Sequence, residues 1–408
     1  MKSDVKIYEN ISCPLCGRKE IELIKKMENL DPCTVKIFPD VFLSICQECG
    51  MVHQNPCIPE MQMSELYSSL TDKNFVNLPN TTDDISFQEN QRRLEFIKSY
   101  FSNDIKGKAL LEIGSSNGSF LKLVKDKGFI VTGVEPSKEN AEKIKKFFGI
   151  EVFNDLFENV NFEIRFDIIC HFFVLEHTFE PLKFLQKARN SINSDGIMIF
   201  EVPSLESFID LPFAINIFPY QHISHFYSET ISLLLKKAYF DVVEIKHGKM
   251  FSSKPYGMIV VAKPVENDYF ENLNNNYDIG KNLLRKYFIE LEKNNLILSQ
   301  RIESFINSYK KDITCVIFGA GVNGKFILPV IKKSKKVKKL FFTDNNPKLI
   351  GEEIDGIKVF SPEDLVDLGG DCFICASTDH QEDMMKELLN LGYDKNNILK
   401  AYDFKMFE

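Results

Sequence analysis

Two cysteine pairs are the most specific chemical signal in this chain. CPLCG supplies Cys13 and Cys16, and CQECG supplies Cys46 and Cys49. Each C-x2-C-G reads as a tight knuckle: the glycine lets the turn close while main-chain N–H groups face the sulfurs. Two knuckles complete a tetrahedral S4 site, which suits Zn2+, with thiolates at about 2.3 Å, no redox chemistry and no open position. Four thiolates saturate the ion, so the site is expected to be structural. Without it so small a region could hardly bury enough surface to fold. Cys33, His53 and Cys57 are spare. A further C-x2-C, at Cys372 and Cys375, lies in the apolar run CFICAS and reads as buried thiols.

A glycine loop comes next. ALLEIGSSNGSFL reads as strand, Gly114-x3-Gly118, helix. This is not the G-x-G-x-x-G of dinucleotide sites. Gly114 allows a tight turn, and Gly118 lets the main chain approach a ligand closely. The following strand ends in VTGVEP, where Glu135 is placed to accept hydrogen bonds from ribose hydroxyls. Asp155 in NDLFEN could accept from an adenine amino group. An acidic rim at Glu112 and Glu135 fits a cation and hydroxyls and would repel phosphates. Ser115 in the loop and His171 in FDIICHFFVLEH complete the candidate cofactor set. In the same stretch, Glu176 and His177 either organise the loop after the fourth strand or act in it. The ordered set resembles a class I S-adenosylmethionine (SAM) methyltransferase, which implies SAM as cofactor.

The third stretch is PYQHISHF, with Tyr220, Gln221, His222 and His225 close together. Positioning all these groups calls for an α/β architecture. Residues 1–58 read as a zinc-binding domain and 59–88, polar and turn-rich, as a connecting segment. Residues 89–265 alternate short apolar strands with helical patterns, the signature of a parallel sheet. Residues 268–311 read as linking helices, and 312–408 as a second Rossmann-like unit. The formal net charge of −8 argues against nucleic acid as a partner. The N-terminal stretch shows no apolar signal region, and no run of 18 apolar residues occurs. The expectation is a cytoplasmic protein with no membrane partner, a monomer or small homo-oligomer.

Over nearly all its length the layout resembles the three-domain sugar-nucleotide methyltransferases, best known for C-methylating keto-deoxysugars. The matching stretches are CPLCG…CQECG, EIGSSNGSFL, GVEPS, FDIICHFFVLEH, EVPS, QHISHF and FGAGVNGKFILPV with TDNNPKLIGEEIDGIKV. The resemblance implies a zinc domain, a SAM domain and a Rossmann-like domain that contacts a nucleotide-linked sugar substrate. It makes His222 the base, with Tyr220, His225 or Gln221 as donors to an enolate. The family pattern has a glutamate where this chain has Gln221, and a neutral amide orients an imidazole but stabilises its cation less. O- or N-methylation is the alternative. Tyr67, from the connecting segment, is a weaker candidate. A rival of another class rests on Gly319, Gly321 and Gly324 with Asp344, which taken alone fit a dinucleotide fingerprint and would make the chain an oxidoreductase or nucleotide sensor.

Overall fold

The computed structural model describes residues 8–32, 34–35, 37–63, 85–101, 104–209, 218–248, 256–266, 275–378 and 380–402. Cys33 and Tyr67 lie outside them. The chain divides into two compact units, one of residues 1–26, 42–209 and 220–284, the other of 27–41, 210–219 and 285–408.

Three N-terminal strands open the fold: β1 (Ile21–Glu28), β2 (Asp40–Cys46) and β3 (Val52–Gln54). The first unit then builds β4 (Ala109–Ile113), β5 (Ile130–Val134), β6 (Glu151–Phe153), β7 (Phe166–Phe172) and β8 (Ile192–Pro203). A two-residue strand, β9 (Ser224–His225), precedes β10 (Phe240–His247) and β11 (Gly257–Pro264).

The central sheet has the order β10-β11-β8-β7-β4-β5-β6. Neighbours from β8 to β6 run parallel, and β11 is antiparallel to both β8 and β10. Alternation along the strands follows the two-residue period of a sheet covered on both faces. Leu111, Ile113, Ile169, Met198 and Phe200 enter one apolar layer. Leu110, Ile168, Cys170, Ile197 and Ile199 enter the other. The strand order reverses at β4, and in such sheets ligands bind beyond the carboxyl ends of the strands at that reversal.

A smaller sheet has the order β1-β2-β3-β9, so PYQHISHF, through β9, completes the sheet that the cysteine knuckles begin. Val52 lies opposite His225, and His53 opposite Ser224. The Gln54 main-chain N–H donates to the Ile223 carbonyl, and its side-chain amide donates to the His222 carbonyl at 2.7 Å.

The second unit carries β12 (Ile313–Phe318), β13 (Val337–Thr343), β14 (Glu353–Ile354), β15 (Ile357–Phe360), β16 (Cys372–Cys375) and β17 (Ile398–Lys400). They are ordered β14-β15-β13-β12-β16-β17, parallel apart from β14. Cys372 and Cys375 are wholly buried in β16, as the apolar run predicts.

Candidate active site

The glycine loop stands at the carboxyl end of β4, at the strand-order reversal. Gly114 and Gly118 have φ of 75° and 73°, the left-handed region that favours glycine. A side chain at Gly118 would place its Cβ 2.6 Å from Ile144 Cγ1, so only glycine seats the loop against that helix. Ser116, at φ 48°, and Phe173, at φ 58° just after β7, adopt the same conformation without being glycine. Main-chain strain of this kind clusters at functional sites.

Glu135, at the end of β5, is nearly buried and oriented by the loop itself. Its Oε2 accepts from the Ser116 N–H at 2.7 Å and its Oε1 from the Ser137 N–H at 2.9 Å. Two main-chain N–H donors thus hold the carboxylate in one orientation beside the glycine turn. Glu112 is buried with Oε2 unbonded. Burial pushes its carboxyl up to about 8, a rise that Arg93 opposes and Glu135 reinforces. An unbonded carboxyl and a pre-aligned carboxylate beside a glycine cradle suit the cationic, hydroxyl-bearing ligand that the sequence implies, and Glu112, Gly114, Gly118 and Glu135 would hold it. The Ser115 hydroxyl instead turns back toward the carbonyls of Glu112 and Val134, at 3.3 and 3.4 Å. Asp155 is exposed, and its Oδ1 accepts from the Leu156 N–H and the Asn159 amide. The His171 ring is enclosed in the core, stacked 4.6 Å from Phe200 and edge-on to Phe184, with both nitrogens unbonded.

The loop after β7 meets PYQHISHF. A turn of 3-10 helix, Leu175–His177, carries Glu176, which is fully buried with neither carboxyl oxygen bonded. Burial pushes that carboxyl up to about 8. The His177 Nδ1–H donates to the Gln221 carbonyl at 3.0 Å, which leaves its Nε2 3.9 Å from Glu176 Oε1. The His177 and His222 rings pack edge to face at 4.8 Å. Donor atoms of Glu176, His177 and His222 all lie within 4.8 Å of one another. Desolvation, then the neighbouring His177 and His225, hold His222 well below the ordinary imidazole range, so it is a neutral imidazole at pH 7. His225 and Tyr220 are buried beside it, in β9 and just before it.

The four knuckle cysteines also converge. Sγ atoms lie 3.5 Å apart for Cys13–Cys49 and for Cys16–Cys46, and all four are within 4.8 Å of one another. Thiolates placed tetrahedrally at about 2.3 Å would be about 3.8 Å apart, so the set fits Zn2+ with little adjustment. Gly17 and Gly50, both left-handed, close the knuckles by donating to the Cys13 and Cys46 carbonyls. A Cβ at Gly50 would meet the Asn276 carbonyl oxygen at 2.4 Å. Sulfur–sulfur hydrogen bonding holds Cys13 and Cys49 as thiols and shifts Cys16 and Cys46 toward thiolate. A bound ion would bring all four to thiolate. His53 and Cys57 are buried nearby but outside this cluster: the His53 Nδ1–H donates to the Met51 carbonyl, and the chain at Cys57 bridges to Glu9.

With this geometry established, comparison with known proteins is informative. Residues 87–245 match the family described as "Methyltransferase domain". Those residues form a class I methyltransferase domain. Residues 311–399 match the family described as "C2185-like, N-terminal". A tRNA U34 carboxymethyltransferase of Campylobacter lari is 26% identical over 127 residues, 28% of this chain and 41% of that protein. A ubiquinone biosynthesis O-methyltransferase of Actinobacillus pleuropneumoniae is 26% identical over 122 residues, 27% of this chain and 52% of that protein. The chain thus spans about half the length of these curated relatives, or less. An S-adenosylmethionine-dependent methyltransferase from Clostridium acetobutylicum covers 50% of this chain and 99% of its own, at 13% identity and a TM-score of 0.38.

Within the methyltransferase domain two features have no counterpart in the sequence pattern. Arg93 forms a two-pronged ion pair with the buried Glu201, both contacts at 3.2 Å, and its guanidinium lies 4.0 Å from the Phe172 ring centroid. Glu201 belongs to the EVPS stretch, but nothing in the sequence pairs it with a helix far upstream. The approach of Glu176 to His222 was equally hidden, because it requires the loop after β7 and the segment before β9 to meet.

In the second unit two of the fingerprint glycines, Gly319 and Gly324, are packed tightly, while a Cβ at Gly321 would meet open space. A Cβ at Gly324 would fall 1.9 Å from the Gly319 carbonyl oxygen. Both Asp344 oxygens are taken by main-chain N–H groups, of Ala320 and Asn346, each at 2.7 Å. Among the described residues no helix is long and apolar enough to cross a membrane.

Proposed function

We propose that this protein is a SAM-dependent methyltransferase acting on a nucleotide-linked sugar, and that it methylates carbon beside a keto group. The observation that carries the cofactor reading is the Glu135 carboxylate, aligned by two loop amides beside Gly114 and Gly118 at the strand-order reversal. The acceptor reading is supported by the likeness of QHISHF and the cysteine knuckles to the sugar-nucleotide family, and by the neutral imidazole of His222. The relatives are named for tRNA and for ubiquinone biosynthesis, so their names converge on no single acceptor class. The net charge of −8 counts against a polyanionic nucleic acid.

When bound, SAM supplies a methyl group on a sulfonium whose electron pair leaves with the sulfur. The chain's task is to hold the acceptor in line at about 3–3.5 Å and to raise its nucleophilicity. His222 takes the proton from the carbon beside the ketone, and Tyr220, His225 or Gln221 donates to the enolate oxygen. Zn2+ at Cys13, Cys16, Cys46 and Cys49 serves structure. The thiols and the sequence suit a reducing, cytoplasmic setting.

A second reading is supported by the relative named as an O-methyltransferase. There His222 would take a hydroxyl proton and no enolate donor would be needed. The test is incubation with SAM and a panel of keto- and hydroxy-sugar nucleotides, read by mass for gain of one methylene. Product from keto sugars, lost in His222→Ala, is expected; product from hydroxy sugars alone selects the second reading, and none from any sugar defeats both.

A further inference from the structure

We propose that Glu176 is the positioning residue for His222, supplying from the loop after β7 an ionisable carboxyl beside the imidazole, which the amide of Gln221 does not. The inference rests on His222 as proton acceptor. An imidazole that receives a proton in a dry site needs an anion at its far nitrogen, to fix the tautomer and to balance the cation formed. The residue beside it, Gln221, carries no charge; its main-chain carbonyl is committed to His177.

Glu176 meets the requirement on three counts. It is wholly buried with both oxygens unbonded, a costly state for a carboxyl with only a packing role. Its oxygen lies within 4.8 Å of ring nitrogens of both His177 and His222. The His222 Nδ1 is itself buried and unbonded. One bridging water would span a gap of that size. His177 flanks the pair with its tautomer set by the Gln221 carbonyl and its Nε2 3.9 Å from Glu176 Oε1.

The titratable groups facing this pair are His177 and His225 against His222, with His53 beyond His225. All are held neutral at pH 7 by burial, so none supplies the missing charge. In turnover, once Glu176 has ionised, the acceptor's proton moves to a ring nitrogen of His222, the Glu176 carboxylate balances the imidazolium formed, and the proton returns to solvent afterwards. No oxidant or further reactant is needed.

The test uses full-length protein labelled with 15N-histidine, zinc loaded, titrated by NMR, and it needs no acceptor. Since burial holds Glu176 near 8, the wild-type pair should release one proton around there, with His222 ring nitrogens shifting in the same step. In Glu176→Gln that step should vanish and His222 should titrate only in acid. In the Glu176→Gln, Gln221→Glu double variant a step should return. Should Glu176→Gln fail to fold, Gln221→Glu alone should move the step up by about one pH unit, through the added like charge. A His222 step unchanged in Glu176→Gln, or absent from wild type, would overturn the assignment. So would saturable shifts of His177 and His222 on adding Zn2+ or Mg2+ beyond the structural equivalent, which would make the cluster a cation site. Failure to methylate sugars with the NMR step intact would sink the substrate reading and leave this pairing standing.

Discussion

Two clusters in the first unit bring donor atoms within 4.8 Å of one another: four sulfurs of Cys13, Cys16, Cys46 and Cys49, and the group Glu176, His177 and His222. The sulfurs come from two short local knuckles, each closed by its own glycine. The second group comes from two loops that meet only because β7 and β9 bring them together. The first is built to be filled and satisfied by an ion; the second keeps a carboxyl and an imidazole nitrogen unbonded in the interior. A structural site finishes its bonding at rest, whereas a reacting site holds bonding capacity for a substrate. The two are joined through β3, whose pairing with β9 ties the cysteine knuckles to the segment proposed to carry the base.

Breaking the first cluster should have the largest effect. Cys46→Ser, or a strong chelator, forfeits roughly 10 kcal/mol of ion-binding energy. Calorimetry should show a large fall in Tm, and hydrogen exchange should rise at Gln54 and Ile223, where β3 hands over to β9. If zinc loss leaves that exchange unchanged, the two clusters are independent. His222→Ala should lower turnover by about 100-fold or more while zinc content and SAM affinity stay as in wild type. A parallel loss of SAM binding would show that His222 supports the fold, not the chemistry. Gly118→Val, which drives a side chain into Ile144, should do the converse, weakening SAM binding by at least about 10-fold with zinc retained.

The smallest expected effect is on pH dependence. His53 and His177 are held down to about 4, and His171 and His225 to about 3, mainly by burial. The folded state therefore binds fewer protons than the unfolded one between those values and the ordinary 6.5, and stability should fall as pH falls through that window. Glu112 and Glu176 are raised to about 8, so the folded state holds two protons that the unfolded state has released, and stability should also decline as pH climbs toward 8. Zinc-loaded protein should be most stable near about pH 6.5 in denaturant titrations. Glu176→Gln should flatten the alkaline limb only, and an unaltered limb would mean that Glu176 is charged in the fold.

How far the sequence reveals each cluster follows from the range of the interactions. C-x2-C-G is a local constraint, so which sulfurs converge is readable from residue types alone. The glycine loop and Glu135 are also local, each one turn from its strand. The parity of β7 is not: Cys170 and His171 face opposite layers, and only the finished sheet shows His171 between Phe184 and Phe200. Ser115 in the glycine loop and Asp155 after β6 are read from position alone, and only the structure shows the neighbouring groups their oxygens meet. Arg93 with Glu201, and Glu176 with His222, are tertiary pairs without a spacing rule, so no sequence signal marks them.

Every proposed step requires SAM in the glycine cradle of the methyltransferase domain. Isothermal titration of the zinc-loaded full chain with SAM tests this directly. One saturable site, abolished by Glu135→Arg and indifferent to NAD+, is the predicted result. No binding of SAM alongside clear binding of NAD+ would contradict it and return the second unit's glycine turn to the centre of the function.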